Sequence, residues 1–101
     1  MTTLEFKTRH ENNEAKMFDL ALAEQLKGHR VAVMFFGDEA NYDEVIEFVV
    51  GNTRRDENRK RTYLMDAEGK DTMLFTSDDS FIGEDVFEAG DDRPWFVIDL
   101  M

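Results

Sequence analysis

The sequence predicts an α+β fold: a single domain with a four- or five-stranded, mainly antiparallel sheet and two helices packed on it. Three observations lead there. The chain has 101 residues, which fits one domain spanning residues 1–101. Folding a chain of this size buries roughly 60% or more of its unfolded surface. Its residues are 42% hydrophobic with nine Phe, enough for a core, and one proline and six glycines leave room for regular elements. The apolar spacing then alternates between the helical and strand periods in the order strand, helix, strand, helix, hairpin, acidic segment, strand.

The elements follow in turn. Residues 2–7 alternate polar and apolar side chains and predict a short edge strand. Asn12 or Asn13 can cap a first helix, in which Ala15, Phe18, Leu22 and Leu26 form one stripe and Gly28 is the stop. Residues 31–36 are apolar on both faces, the pattern of a central strand covered on two sides, or on one side plus an interface. A second helix is expected from Asn41, with Glu44 at capping-box spacing and Tyr42, Val45, Ile46 and Val49 on its inner face. Gly51 and Asn52 would close it. Residues 53–61 read as a basic loop carrying Arg54, Arg55, Arg59, Lys60 and Arg61. Two strands, 62–66 and 71–76, are joined by a four-residue turn whose third position, Gly69, suits a left-handed backbone. Residues 78–92 form an acidic connection with Phe81, Ile82, Val86 and Phe87 as apolar anchors and room for a short helix or strand. Residues 94–100 are the last strand, with Pro94 at its tolerated first position. Phe18, Leu22, Val33, Phe35, Ile46, Val49, Leu74, Phe96 and Ile98 are expected to form one core.

Charge is distributed unevenly along this framework. The net charge is −11. Residues 1–61 hold 12 acidic and 10 basic side chains, whereas residues 62–101 hold 11 acidic side chains against Lys70 and Arg93 alone. Asp78, Asp79, Glu84, Asp85, Glu88, Asp91 and Asp92 fall within 15 residues that contain no cation. Such a run costs self-repulsion in a compact domain, which points to use as a binding face for a basic partner. The basic segment is expected to pair internally with the acidic surface, or with an acidic patch on a partner or a second copy. A homodimer is one form this could take, and direct nucleic-acid binding is not expected.

The residue inventory limits the chemistry. With no cysteine there is no disulfide, thiol nucleophile or thiolate metal site. His10 and Glu14 have i, i+4 spacing but no third ligand, so no metal is expected. Ser77 and Ser80 sit among carboxylates without a nucleophile-elbow pattern. A calcium loop numbered from Asp78 places Gly83 correctly but puts Ile82 and Ala89 where ligands are required. Gly37 followed by Asp38 and Glu39 would repel a phosphate. The expectation is a protein without catalytic residues or cofactor, hence no enzyme. Residues 1–7 lack the apolar stretch of a signal peptide, and the run at 31–36 is far below the ~20 residues that span a bilayer. A soluble cytoplasmic protein with no membrane contact is expected.

In length, acidity, absence of cysteine and absence of a catalytic motif, the chain resembles the small acidic phage-encoded inhibitors of bacterial defence. These are the anti-restriction and anti-CRISPR proteins, some of which act as DNA mimics. The resemblance implies an inhibitor that works in the bacterial host cytoplasm by occupying the cationic nucleic-acid site of a defence or nucleic-acid-handling protein. Two other readings use the same composition: an immunity protein or antitoxin neutralising a basic toxin, and an acidic soluble domain without mimicry.

Overall fold

In a computed structural model of the chain, the residues described are 1–35, 45–76, 82–84 and 95–100. The first element corrects the strand expected at 2–7. The Thr2 side chain accepts a hydrogen bond from the Glu5 backbone N–H at 3.1 Å, and its hydroxyl donates to Glu5 Oε1 at 3.1 Å. Thr-x-x-Glu is capping-box spacing, so Thr2 starts helix α1 (Thr3–Glu11). Phe6 is its buried residue, while Leu4 stays exposed. Asn12 then serves as the C-cap and Asn13 takes φ +64°. These asparagines end a helix instead of starting one, because a left-handed residue closes the last turn.

The helix expected to run from Asn12 or Asn13 to Gly28 is divided. Lys16–Met17 form strand β1, and helix α2 (Leu20–Gln25) starts at Asp19, whose carboxylate accepts from the Leu22 N–H at 2.7 Å. Phe18 precedes the helix yet is fully buried. Gly28 is the expected stop, at φ +88°, and donates its N–H to the Val50 carbonyl.

Strand β2 (Arg30–Phe35) is central, as its sequence demands. It lies between β7 (Trp95–Asp99) and β3 (Val45–Asp56), antiparallel to both. Val31 and Val33 enter one core cluster, Ala32 and Met34 another, and all four are 0% exposed. The second helix expected from Asn41 is corrected where it is described: residues 45–50 are strand. Ile46, Phe48 and Val50 alternate with Val45, Glu47 and Val49, and the β-branched content favours the extended chain. Residues 41–44, including Tyr42 and Glu44, lie outside the described residues.

Gly51 does not terminate β3; it bends it. Pairing between β3 and β4 (Arg61–Asp66) shifts between Val50 and Thr53. A Cβ on Gly51 would stand 2.1 Å from the Asp66 carbonyl oxygen, so only glycine lets the two backbones approach this closely. The first half of β3 pairs with β2 and the second half with β4, so one bulged strand carries the chain from one part of the sheet to the next. The expected basic loop at 53–61 is corrected in consequence: its first residues belong to β3 and Arg61 opens β4. The hairpin from β4 to β5 (Asp71–Thr76) turns as expected, with Gly69 at φ +86° and Asp66 Oδ1 accepting from the N–H groups of Glu68 and Lys70 at 2.9 Å each.

Gly83–Glu84 form β6, and the sheet order among the described residues is β1-β7-β2-β3-β4-β5-β6, antiparallel at every pairing. Five strands have five residues or more and two have two residues, so the count slightly exceeds the expected four or five. The α+β class stands. Backbone bonds join the two edges: Ile82 donates to Phe18, Phe18 to Trp95, and Trp95 to Ile82, at 2.8, 2.9 and 3.1 Å. The sheet therefore curls back on itself, and its edges are short and occupied.

The single expected core is really two. The interior of the curled sheet holds Phe18, Val33 and Leu74 with Leu64, Ile82 and Trp95; α2 adds Ala23 and its C-cap Leu26, and Leu22 and Ile46 pack at its margin. On the outer face, Phe6 of α1 meets Ala32, Met34 and Ile98, with Phe96 beside them. Val49 is only half-buried. Two clusters arise because β2 and β7 are apolar on both faces. No helix among the described residues is long and apolar enough to cross a membrane.

Candidate functional site

Of the seven acidic residues singled out by sequence, Glu84 is placed: it lies on β6, in register with Leu74. Asp78, Asp79, Asp85, Glu88, Asp91 and Asp92 lie outside the described residues. The framework around them is described. The acidic stretch leaves β5 at Thr76 (2% exposed), is tied at Ile82 (0%) and rejoins the sheet at Trp95 (3%). Ile82 is thus a buried anchor in the inner core; Phe81, Val86 and Phe87 lie outside the described residues.

A second charged feature was only half legible in the sequence. The β3–β4 hairpin is turned by Asp56, whose carboxylate accepts from the N–H groups of Asn58 and Arg59 at 3.0 and 3.2 Å, and by Lys60 at φ +54°. Register places Arg54, Tyr63 and Phe75 in one lateral row across β3, β4 and β5, on the face opposite the buried Leu64 and Leu74. Arg54 Cζ lies 4.8 Å from the Tyr63 ring centroid and Arg61 Cζ 4.4 Å from that of Phe75. The two rings are 6.0 Å apart, tilted by 37°. Each guanidinium over a ring contributes about 0.5–1 kcal/mol at an exposed site, which biases these arginines toward the rings. Arg55 turns the other way, to Glu57 at 3.2 Å and the Thr62 hydroxyl at 3.1 Å, so this arginine is paired within its own hairpin. Arg59 and Lys60 are exposed and form no ion pair among the described residues. The aromatic partners escaped the sequence reading because they stand at 63 and 75, outside the basic run. The hairpin register that brings them to Arg54 was the missing signal.

The remaining titratable groups make local pairs. His10 packs edge-on against Phe96 at 4.8 Å, and Glu14 pairs with Arg9 at 3.0 Å, so the i, i+4 pair is not brought together as metal ligands. His29 Nδ1 lies 3.1 Å from Asp99. Among the described residues no three His, Asp or Glu side chains gather as a metal site requires. Glu47 accepts a hydrogen bond from the Met1 amino group, with Arg30 Nε at 3.4 Å. That hydrogen bond and the two positive charges outweigh partial burial and hold its carboxyl below the usual carboxylate range. A cleft of about 410 Å³ beside the β3 bulge is lined by Gly51, Asn52, Met65 and the turn 66–69. Its polar groups are Asn52, Asp66 and Glu68, and Asp66 is already engaged with the turn.

Comparisons with protein-family models, with curated proteins and with solved structures find no match for this chain.

Proposed function

We propose that this protein is a non-enzymatic, acidic inhibitor that acts in the bacterial cytoplasm. Its carboxylate-rich segment, with Asp78, Asp79, Glu84, Asp85, Glu88, Asp91 and Asp92, occupies the cationic nucleic-acid-binding surface of a defence or nucleic-acid-handling protein. The observation that supports this reading is the segregation of charge. Residues 62–101 hold 11 acidic side chains against two basic ones, seven of the acids fall within residues 78–92, and that run is tied to the inner core at Ile82 between β5 and β7. A solubilising surface needs no such concentration. Each strand of a nucleic-acid duplex presents one charge per ~3.4 Å. Carboxylates two apart on an extended chain lie roughly 6.6 Å apart, and neighbouring segments increase the density. Carboxylates attached to a fold can therefore match a channel built for phosphates.

The test is capture from a bacterial lysate with duplex DNA as competitor. The expected result is a nucleic-acid-binding protein retained at low salt, released by duplex DNA, and not retained by the Asp78→Asn, Asp79→Asn, Glu84→Gln, Asp85→Asn variant. Retention that ignores DNA would overturn mimicry, and retention of a basic toxin with no nucleic-acid site would favour the immunity-protein reading.

A further inference from the structure

We propose that the free edge of β3, residues 52–56, pairs antiparallel with the same edge of a second copy of this chain, about a two-fold axis at Arg55. The inference is independent of the proposed function and uses none of the acidic segment.

The closure that keeps the end strands short leaves one stretch inside the sheet uncovered. β3 has twelve residues and β2 six, so β3 outruns its neighbour. β2 covers Val45 to Val49, and the Val50 N–H and carbonyl are bonded to His29 and Gly28. Beyond Val50 that side of β3 has no backbone partner among the described residues, whereas the other side pairs with β4 as far as Asp56. Every second residue of 52–56 therefore turns an unpaired N–H and carbonyl outward. Asn52, Thr53, Arg54 and Arg55 are all exposed, although Leu64 and Thr62, directly opposite Thr53 and Arg55, are buried. The core thus ends at β4, and the end of β3 stands clear of it.

Symmetry and charge select the register. Two identical antiparallel strands related by a two-fold axis place one residue opposite itself, because hydrogen-bonded and non-hydrogen-bonded pairs alternate. Axes at Asn52 or Asp56 run the ladder off one end of the free edge. An axis at Thr53 sets the partner strand against Val50, whose edge is taken. An axis at Arg54 sets two arginines opposite each other, neither holding a carboxylate among the described residues, and like charges directly opposite are destabilising. An axis at Arg55 instead sets Arg54 opposite Asp56 twice, on one face of the new ladder. Asp56 gives Oδ1 to the Asn58 and Arg59 amides, and its Oδ2 has no hydrogen bond among the described residues. Arg55 then meets Arg55 on the other face, but each already carries its own Glu57 at 3.2 Å. A short ladder with two cross-strand ion pairs makes a contact of the small, transient class.

The chain has no cysteine, so a single introduced thiol reports the register. The experiment is mild oxidation near 0.15 M salt, where a screening length of ~8 Å limits repulsion between two copies of −11. Arg55→Cys should form a disulfide-linked dimer about tenfold faster than Asn52→Cys or Arg59→Cys, because its thiols are held together at the axis. Sedimentation of the unsubstituted chain to millimolar concentration should show a reversible monomer–dimer equilibrium. Arg54→Thr should weaken it about fivefold, the loss of both cross-strand ion pairs, in a protein that still melts cooperatively. Equal oxidation rates at positions 52, 55 and 59, a fastest rate at 59, or a monomer at every concentration would overturn the inference. So would amides of residues 52–56 whose hydrogen exchange slows only when a captured partner is added, since the edge would then serve another protein.

Discussion

Met73 stands in β5 with φ +70° and a side chain 59% exposed. Tyr63 pairs with Phe75 but Met65 pairs with Asp71, so β5 carries extra residues there and bulges. The Asp71 carboxylate accepts the Met73 N–H at 2.8 Å and holds the bend. A left-handed backbone costs a non-glycine residue roughly 1–2 kcal/mol, and nothing buried repays it at this exposed position. Met73→Gly should raise stability by about 0.5–1 kcal/mol in urea denaturation, the relief exceeding the entropy glycine adds to the unfolded chain. Glu47 carries a pH signature. Its carboxyl is held below its ordinary value of 4.5, first by the hydrogen bond from the Met1 amino group, against partial burial, and then by the amino charge and Arg30. A lowered folded value means that this stabilisation is present above the ordinary carboxylate range. It is lost as pH falls through the folded value. Glu47→Gln should melt lower at neutral pH and lose less on acidification than the parent; equal acid sensitivity would place the linkage elsewhere. Neither feature was legible in the sequence, because each depends on which strand lies opposite.

At the scale of elements, β3 carries the most consequence. Its twelve residues leave the first half of the sheet and enter the second by way of Gly51. Gly51→Ala forces a methyl against the Asp66 carbonyl and should cost about 1–3 kcal/mol by chemical denaturation, as overpacking does. Gly28 tolerates no such comparison, since its limit is a positive φ in open space. The sequence misread β3 for a definite reason. Val45, Ile46 and Val49 fit helical spacing as well as they fit a strand, and Gly51-Asn52 looks like a stop. The alternation including Phe48 and Val50 decides the matter only once β2 lies beside it. Residues 2–7 failed similarly: a six-residue alternation outweighed the Thr2–Glu5 capping pair, which is the stronger local interaction. Strands β2, β4, β5 and β7 were legible because each combines an apolar run with an unambiguous turn or two buried faces. The Gly69 turn was read to the residue.

For the whole molecule, the most uneven feature is charge, with 11 acidic and two basic side chains in residues 62–101. Seven carboxylates at 78–92 could be listed from sequence, but the stacked arginines opposite Tyr63 and Phe75 could not, since they exist only through strand pairing. In the proposed function the acidic segment, and not acidity in general, makes the contact with a cationic site. The measurement closest to it is the association rate with the captured partner as a function of ionic strength. It should be made for the parent, for Asp78→Asn/Asp79→Asn/Glu84→Gln/Asp85→Asn, and for Glu11→Gln/Glu24→Gln on α1 and α2. Charge mimicry gives fast association that falls steeply with salt, a much shallower slope for the first variant, and little change for the second. A salt-independent rate, or equal losses from both variants, would place the contact elsewhere on the molecule.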